Sequence, residues 1–250
     1  MIDMNRFARA KSAINNPHVR YNIGTYKERS QHRLLKHYYE PDIEFHEVPY
    51  DGFIADILNN AGITEIQTAG FRSLNEKLAV FLSENNVRIV YPTALKKRVC
   101  WIDPESGESA FGRYTTYNKS HFHLLSELLS IVDYFGVPQL CVDVVYMSVS
   151  DCRLLNGYGK DRKKKATKID TVPEELTDIV TLHNSADIRK LIGLEEGREM
   201  TREELSKYFG LSRISLWRAI KFLLITEILT ISGKKGNTII YKVTSEKDYL

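Results

Sequence analysis

Asp56 is followed, after eight intervening residues, by Glu65-Ile66-Gln67. The surrounding stretch, GFIADILNNAGITEIQT over residues 52–68, reads as two short apolar strands joined by an Asn-Asn-Ala-Gly turn. Side chains two apart on a strand share a face. Glu65 and Gln67 therefore point the same way, and a hairpin brings Asp56 beside them. Two carboxylates converging at the end of a small sheet suit a hard cation with oxygen ligands. Competing chemistries find little support. Ser, His and Asp occur without a nucleophile elbow, and Gly-rich phosphate loops are absent. His46, His121 and His123 have no metal-cluster spacing, and Cys100, Cys141 and Cys152 lack CxxC spacing.

The elements that must position these residues are legible from periodicity. Tyr26, His32, Leu34, Leu35, Tyr38 and Tyr39 predict a helix over about 26–39 that ends before Pro41. Residues 43–48 alternate as a strand, and Pro49-Tyr50-Asp51-Gly52 forms a turn. The motif strands follow at about 53–58 and 63–68. Ser73, with Glu76 three residues on, marks the start of a helix over 73–85. The apolar run 87–92 reads as a central strand. A hairpin at about 97–116, a helix at 120–135 and a strand at 139–149 complete a mixed α/β domain. Glu28 lies on the first helix, within reach of the open end of the sheet. His32 shares its helix face, four residues on. It reads equally as a partner of Glu28, a substrate contact or a plain polar helix residue. Glu47, on the strand before the motif, reads as a solvent-facing edge residue, with a further ligand as the alternative.

A helical Glu28, Asp56 at the end of one strand and Glu65-Ile66-Gln67 on the next resemble the PD-(D/E)XK nuclease superfamily. The closest likeness is to its competence-associated and Holliday-junction-resolvase-like branch. The order of elements over residues 20–150 is similar to that superfamily's core. The resemblance implies a restriction-endonuclease-like mixed sheet flanked by helices, and metal-dependent hydrolysis of phosphodiesters. It implies Mg²⁺ or Mn²⁺ held by Asp56 and Glu65, with the main-chain carbonyl of Ile66 completing the shell and Glu28 contributing directly or through water. It also implies a homodimer, so that both strands of a duplex are cut. Gln67 stands where the superfamily usually has Lys. Gln donates and accepts hydrogen bonds but carries no charge. Some members borrow a Lys from the following helix, and Lys77 is the residue so placed, with a plain surface position on that amphipathic helix as the equal alternative. A non-catalytic DNA-binding regulator on the same fold is the alternative that Gln67 supports.

The C-terminal region carries a second signal. Thr201 with Glu204 forms a capping-box pattern, and Leu205, Phe209, Leu211, Leu216, Ile220 and Leu223 are spaced as the core of a helix-turn-helix, with Gly210 at the turn. Two strands over 228–243 surround a Gly-Lys-Lys-Gly-Asn tip. Together these resemble a winged helix-turn-helix domain. In such a domain the second helix enters the major groove. Arg213, Ser215, Trp217, Arg218 and Lys221 would face duplex DNA there, with Lys234, Lys235 and Asn237 of the wing on phosphates. An exposed Trp217 equally suits a protein contact. The expected organisation is a nuclease-like domain over 1–155, a basic linker or loop over 156–180 with a helix at 174–181, and a winged-helix domain over 181–250.

Bulk composition fits this picture. The net charge is only +3, but residues 160–168 hold six Lys/Arg and one Asp, and residues 200–250 hold nine Lys/Arg and five Asp/Glu. Basic charge is thus concentrated away from the carboxylates, as phosphate contact requires; a solvated linker or a nuclear import signal has the same composition. No apolar run is long enough to span a bilayer, and three cysteines without a pairing pattern fit a reducing cytoplasm.

Overall fold

The computed structural model describes residues 2–14, 29–68, 70–157 and 166–245. The chain divides into two compact units, and β4, β7 and β8 each carry it from one to the other. The first comprises Met1–Thr68, Val90–Asn118 and Val144–Val180; the second comprises Ala69–Ile89, Lys119–Asp143 and Thr181–Leu250. The protein is a mixed α/β structure with one large sheet. Among the described residues no helix is long and apolar enough to cross a membrane.

The first unit holds helices α1 (Met4–Ile14) and α2 (Ser30–Tyr39) and strands β1 (His46–Tyr50), β2 (Phe53–Asn59) and β3 (Gly62–Ile66). It also holds most of β4 (Val87–Ile102), all of β5 (Ser109–Phe111) and β6 (Thr115–Thr116), and most of β7 (Leu140–Leu154) and β8 (Thr167–Leu182). The sheet runs β1-β2-β3-β4-β7-β8, with β5 and β6 paired to β4. Asp51 and Gly52, at φ 42° and 81°, close the two-residue turn between β1 and β2. Positive φ at both positions matches the strand twist, which is why an Asp-Gly pair serves here. Phe7, Ala10 and Ile14 of α1 and Leu34, Leu35 and Tyr38 of α2 share one core with Ile57, Ile66, Val90, Val145, Met147, Val149 and Leu176 of the sheet. Leu34 and Leu35 are fully buried, and each contributes roughly 1.5–3 kcal/mol.

A network of polar groups inside this unit is paired, as burial demands. Arg98 Nε donates to Ser150 Oγ at 2.9 Å, and Glu174 Oε1 accepts from Ser150 at 2.7 Å and from Arg98 at 3.1 Å. Lys168 and Thr171 donate to Asp151 at 2.9 and 3.1 Å. Burial works to raise both carboxyls. The bonds from Ser150 and Arg98 nevertheless hold Glu174 below the usual range, and Lys168 does the same for Asp151.

The second unit holds α3 (Leu74–Phe81), α4 (His123–Leu128), α5 (Ser185–Ile192), β9 (Glu199–Thr201), α6 (Arg202–Phe209), α7 (Arg213–Ile225), β10 (Leu229–Lys235) and β11 (Thr238–Val243). Its small antiparallel sheet runs β10-β11-β9. The capping box is present: Thr201 Oγ1 accepts from Glu204 N–H at 3.2 Å while Glu204 Oε2 accepts from Thr201 N–H at 2.7 Å. Gly210 ends α6 at φ 67°, a left-handed conformation that favours glycine. Phe122 packs edge-on against Phe209, and Phe135 against Phe222.

Four expectations need correction. Residues 167–182 form strand β8 rather than a linker and a helix at 174–181. Their buried positions Asp170, Thr171 and Leu176 need the sheet's neighbours, which local composition does not reveal. The C-terminal region shares its core with residues 119–143, so the boundary near 181 does not separate an independent domain. Ser73 closes a short 3-10 turn and makes no side-chain cap to α3. The helix expected over 120–135 is broken: α4 is flanked by 3-10 turns at Ser120–Phe122 and Leu129–Ile131. The basic residues 160–165 lie outside the described residues, and Lys168, which follows them, is bonded to Asp151.

Candidate active site

The register sets the geometry. Ile57 pairs with Thr64, Leu58 with Ile63 and Asn59 with Gly62. One step further along this register Asp56 stands opposite Glu65, and directly opposed residues of an antiparallel pair share a face. On the other side, His46 pairs with Ile57 and Val48 with Ala55, which puts Glu47 opposite Asp56. Three carboxylate residues therefore occupy one row across β1, β2 and β3. Glu47 holds φ 52°, an uncommon conformation for a non-glycine residue.

Asp56 and Glu65 interlock through the backbone. Asp56 Oδ2 accepts from Ile66 N–H at 2.7 Å, and Glu65 Oε1 accepts from Asp56 N–H at 3.2 Å. Glu65 is 1% exposed. Gln67 N–H donates to Val90 O at 2.9 Å, which ties the end of β3 to β4. The two carboxylates are thus fixed by the sheet before any ligand arrives.

Helix α2 supplies two further side chains one turn apart. His32 Nε2 lies 3.2 Å from Asp56 Oδ2, and Lys36 Nζ donates to Glu47 Oε1 at 2.8 Å. Lys36 is only 4% exposed. The helix is held at its first turn by β8: Ser30 Oγ donates to Asp170 Oδ2, and Ser30 N–H donates to Asp170 Oδ1 at 3.2 Å. A carboxylate at that position satisfies open helix donors and complements the helix dipole. His32 therefore faces Asp56 because α2 is anchored at one end by Asp170 and along its length by Leu34, Leu35 and Tyr38.

The predicted residues fall into three groups. Asp56, Glu65 and the Ile66 N–H come together, and Gln67, one residue past the end of β3, is tied to Val90 through its backbone. Glu28 lies outside the described residues. Lys77 belongs to the second unit, where its Nζ lies 5.8 Å from the Phe81 ring. Sequence reasoning missed Lys36 and Asp170; the four-residue spacing of His32 and Lys36 on one helix was the available signal. As to cation chemistry, Asp56 and Glu65 bring oxygen donors to one edge, which fits a hard divalent ion. Among the described residues no group of three or more His, Cys, Asp and Glu side chains is placed to hold a metal.

A family model described as a domain of unknown function, DUF8091, matches residues 29–183. The chain belongs to this family. The DUF8091 segment contains His32, Lys36, Asp56, Glu65 and Asp170, so the whole described arrangement lies inside it. An uncharacterized protein of Treponema pallidum (strain Nichols) is 24% identical over 221 residues, covering 88% of this chain and 87% of that protein. Its similarity therefore runs beyond the DUF8091 segment. No solved structure matches the chain.

In the second unit, the residues expected to face DNA are mostly on the surface. Arg213, Trp217 and Lys221 are exposed on α7, and Lys221 Nζ lies 5.4 Å from the Trp217 ring. Ser215 is half-buried and occupied with Ser212 at the start of the helix. Lys234, Lys235 and Asn237 are exposed at the β10–β11 tip. A groove of about 770 Å³ between α6, α7 and β11 is lined by Arg202, Arg213 and Asn237 among others. Arg218 is the correction. Its Nε donates to Ser126 O at 2.9 Å and its guanidinium to Ser130 Oγ at 2.7 Å, so it is a structural tie within the unit.

Proposed function

We propose that the protein is a metal-dependent DNA nuclease whose cation is held by Asp56 and Glu65. The observation that carries this reading is the pairing of Asp56 opposite Glu65 at the end of the β2–β3 hairpin, locked by reciprocal side-chain-to-backbone bonds. A divalent ion bound there would lower the pKa of a bound water and stabilise charge on the phosphate oxygens. The chain's own residues supply the rest. Ile66 N–H orients the Asp56 carboxylate. His32 stands against the same oxygen at 3.2 Å and helps orient the carboxylate. Gln67, half-buried at the end of β3, is placed to position water without adding charge.

The order α5-β9-α6-α7-β10-β11 with sheet order β10-β11-β9 supports a winged helix in the second unit. Arg213 and Lys221 on α7, with Lys234, Lys235 and Asn237 on the wing, would deliver the nuclease to duplex DNA. Exposed Ile214, Trp217 and Ile225 on the same helix favour a second use of that face, as a protein contact.

A non-catalytic DNA-binding regulator is the competing reading, favoured by Gln67 in place of Lys and by Asp56 already accepting from Ile66 and His32. Incubation with Mg²⁺ or Mn²⁺ and labelled duplex, single-stranded and branched DNA separates the two. The nuclease reading predicts cleaved product from at least one substrate. Tight binding with no product from any of them would establish the regulator.

A further inference from the structure

The second half of β4 carries a different arrangement. Arg98 is pinned there by Ser150 and Glu174, at 2.9 and 3.1 Å. Its guanidinium carbon lies 4.1 Å from the Phe111 ring centroid and 4.9 Å from that of Tyr114. Both rings are exposed, at 53% and 43%. The pairing of Cys100 with Phe111, and Gly112 N–H donating to Val99 O at 2.8 Å, hold this segment against β4. Two large rings are therefore fixed in water around an immobilised cation.

The charge carried by the two segments themselves has one sign. Residues 94–99 and 109–117 contain Lys96, Lys97, Arg98 and Arg113 and no Asp or Glu. Lys97 pairs with Asp151 at 3.5 Å and Arg98 with Glu174, while Lys96 and Arg113 are exposed. Lys96 lies two residues from Arg98, on the same strand face by alternation. The hairpin's acidic residues, Asp103, Glu105 and Glu108, sit at its far tip. There the Asp103 carboxylate is occupied by the N–H groups of Glu105 and Ser106.

We infer that Phe111 and Tyr114, fixed by Arg98, form a stacking platform for unpaired bases of single-stranded DNA, with Lys96 and Arg113 taking the adjacent phosphates. Exposed rings beside backbone-neutralising cations are what sequence-tolerant single-strand binding requires, since every base has a π-face. In a duplex those faces are already stacked, so the platform selects unpaired segments. The choice of DNA rests on the proposed nuclease reading; the stacking does not.

The test is fluorescence anisotropy of a labelled dodecamer of thymidylate, its duplex and the ribose counterpart, in EDTA, with full-length protein. The single-stranded DNA is expected to bind tighter than the duplex. Phe111→Leu and Tyr114→Leu, which keep apolar bulk but lose the π-face, are each expected to weaken it by about tenfold. Tyr114→Phe is expected to bind like wild type. Lys96→Gln with Arg113→Gln is expected to flatten the salt dependence by a slope of about 1.4. Undiminished binding by the folded double leucine variant would overturn the platform, and tighter binding of the ribose strand would overturn the assignment to DNA. Single-strand binding without cleavage in Mg²⁺ would leave the platform standing and remove the nuclease reading. Cleavage with unchanged binding in the leucine variants would do the reverse.

Discussion

Removing the Asp56 side chain should separate its structural role from its chemical one. Asp56 Oδ2 is the acceptor for Ile66 N–H at 2.7 Å, and Ile66 is 2% exposed. Asp56→Ala leaves that buried donor unpaired, which costs about 1–3 kcal/mol. The lost contact with His32, between side chains each only about one-fifth exposed, adds to that cost. For a chain of this size the cost corresponds to a fall in melting temperature of about 2–12 °C. Asp56→Asn keeps a carbonyl oxygen at the same place, so Ile66 N–H stays satisfied and the loss stays below about 1 kcal/mol. Both variants lose an ionised ligand, and both should abolish Mg²⁺-dependent cleavage. Thermal denaturation of the three proteins side by side is the assay. An Asp56→Ala protein melting with wild type would refute the claim that this carboxylate closes the end of the hairpin. An Asp56→Asn protein as unstable as the alanine variant would show that charge, not acceptor geometry, is what matters there.

Other consequences follow from the same geometry. Arg218→Ala should destabilise the second unit by about 1.5–3 kcal/mol, because it strips two partners of a charged donor, while Arg213→Ala should leave the melting temperature unchanged and weaken DNA binding. Paired melting and binding curves check both. Glu174 and Asp151 have folded pKa values below their ordinary 4.5 and 3.8, so their contribution is complete above those values and is lost as pH falls through the lower folded ones. Denaturation midpoints should therefore be flat at neutral pH and drop below about pH 4, and a Glu174→Gln protein should show a shallower drop. Burial, reinforced by the neighbouring Cys100, pushes the Cys152 thiol up to about 12. At pH 8 this thiol should react with an alkylating reagent far more slowly in the native protein than in the urea-unfolded chain, as read by mass spectrometry of the Cys152 peptide.

Local signals carried the site hairpin and the C-terminal elements. Alternation and the Asn-Asn-Ala-Gly turn give β2 and β3, and the Thr201 capping box and Gly210 fix α6, because these depend on residues within a few positions of one another. What local signals did not reveal rests on distant partners. Strand β8 reads as linker and helix because Asp170, Thr171 and Glu174 look polar until Ser30, Asp151 and Arg98 are placed beside them. Arg218 looks like a surface cation until Ser126 and Ser130, far back in the chain, meet it. The Asp56–Glu65 pairing was legible from one hairpin, whereas Lys36 on Glu47 depends on how α2 lies against β1, and the anchoring of α2 by Asp170 joins elements far apart in the sequence.

The central claim is that Asp56 and Glu65 hold the ion that cleaves DNA. Its most direct test is the initial rate of cleavage of a labelled branched DNA against Mn²⁺ concentration, for wild type, Asp56→Asn and Glu65→Gln. The account predicts a saturable rise for wild type and flat traces for both variants, with all three binding the DNA alike in EDTA. Cleavage by either variant at the wild-type rate, or none by wild type at any Mn²⁺ concentration, would contradict it.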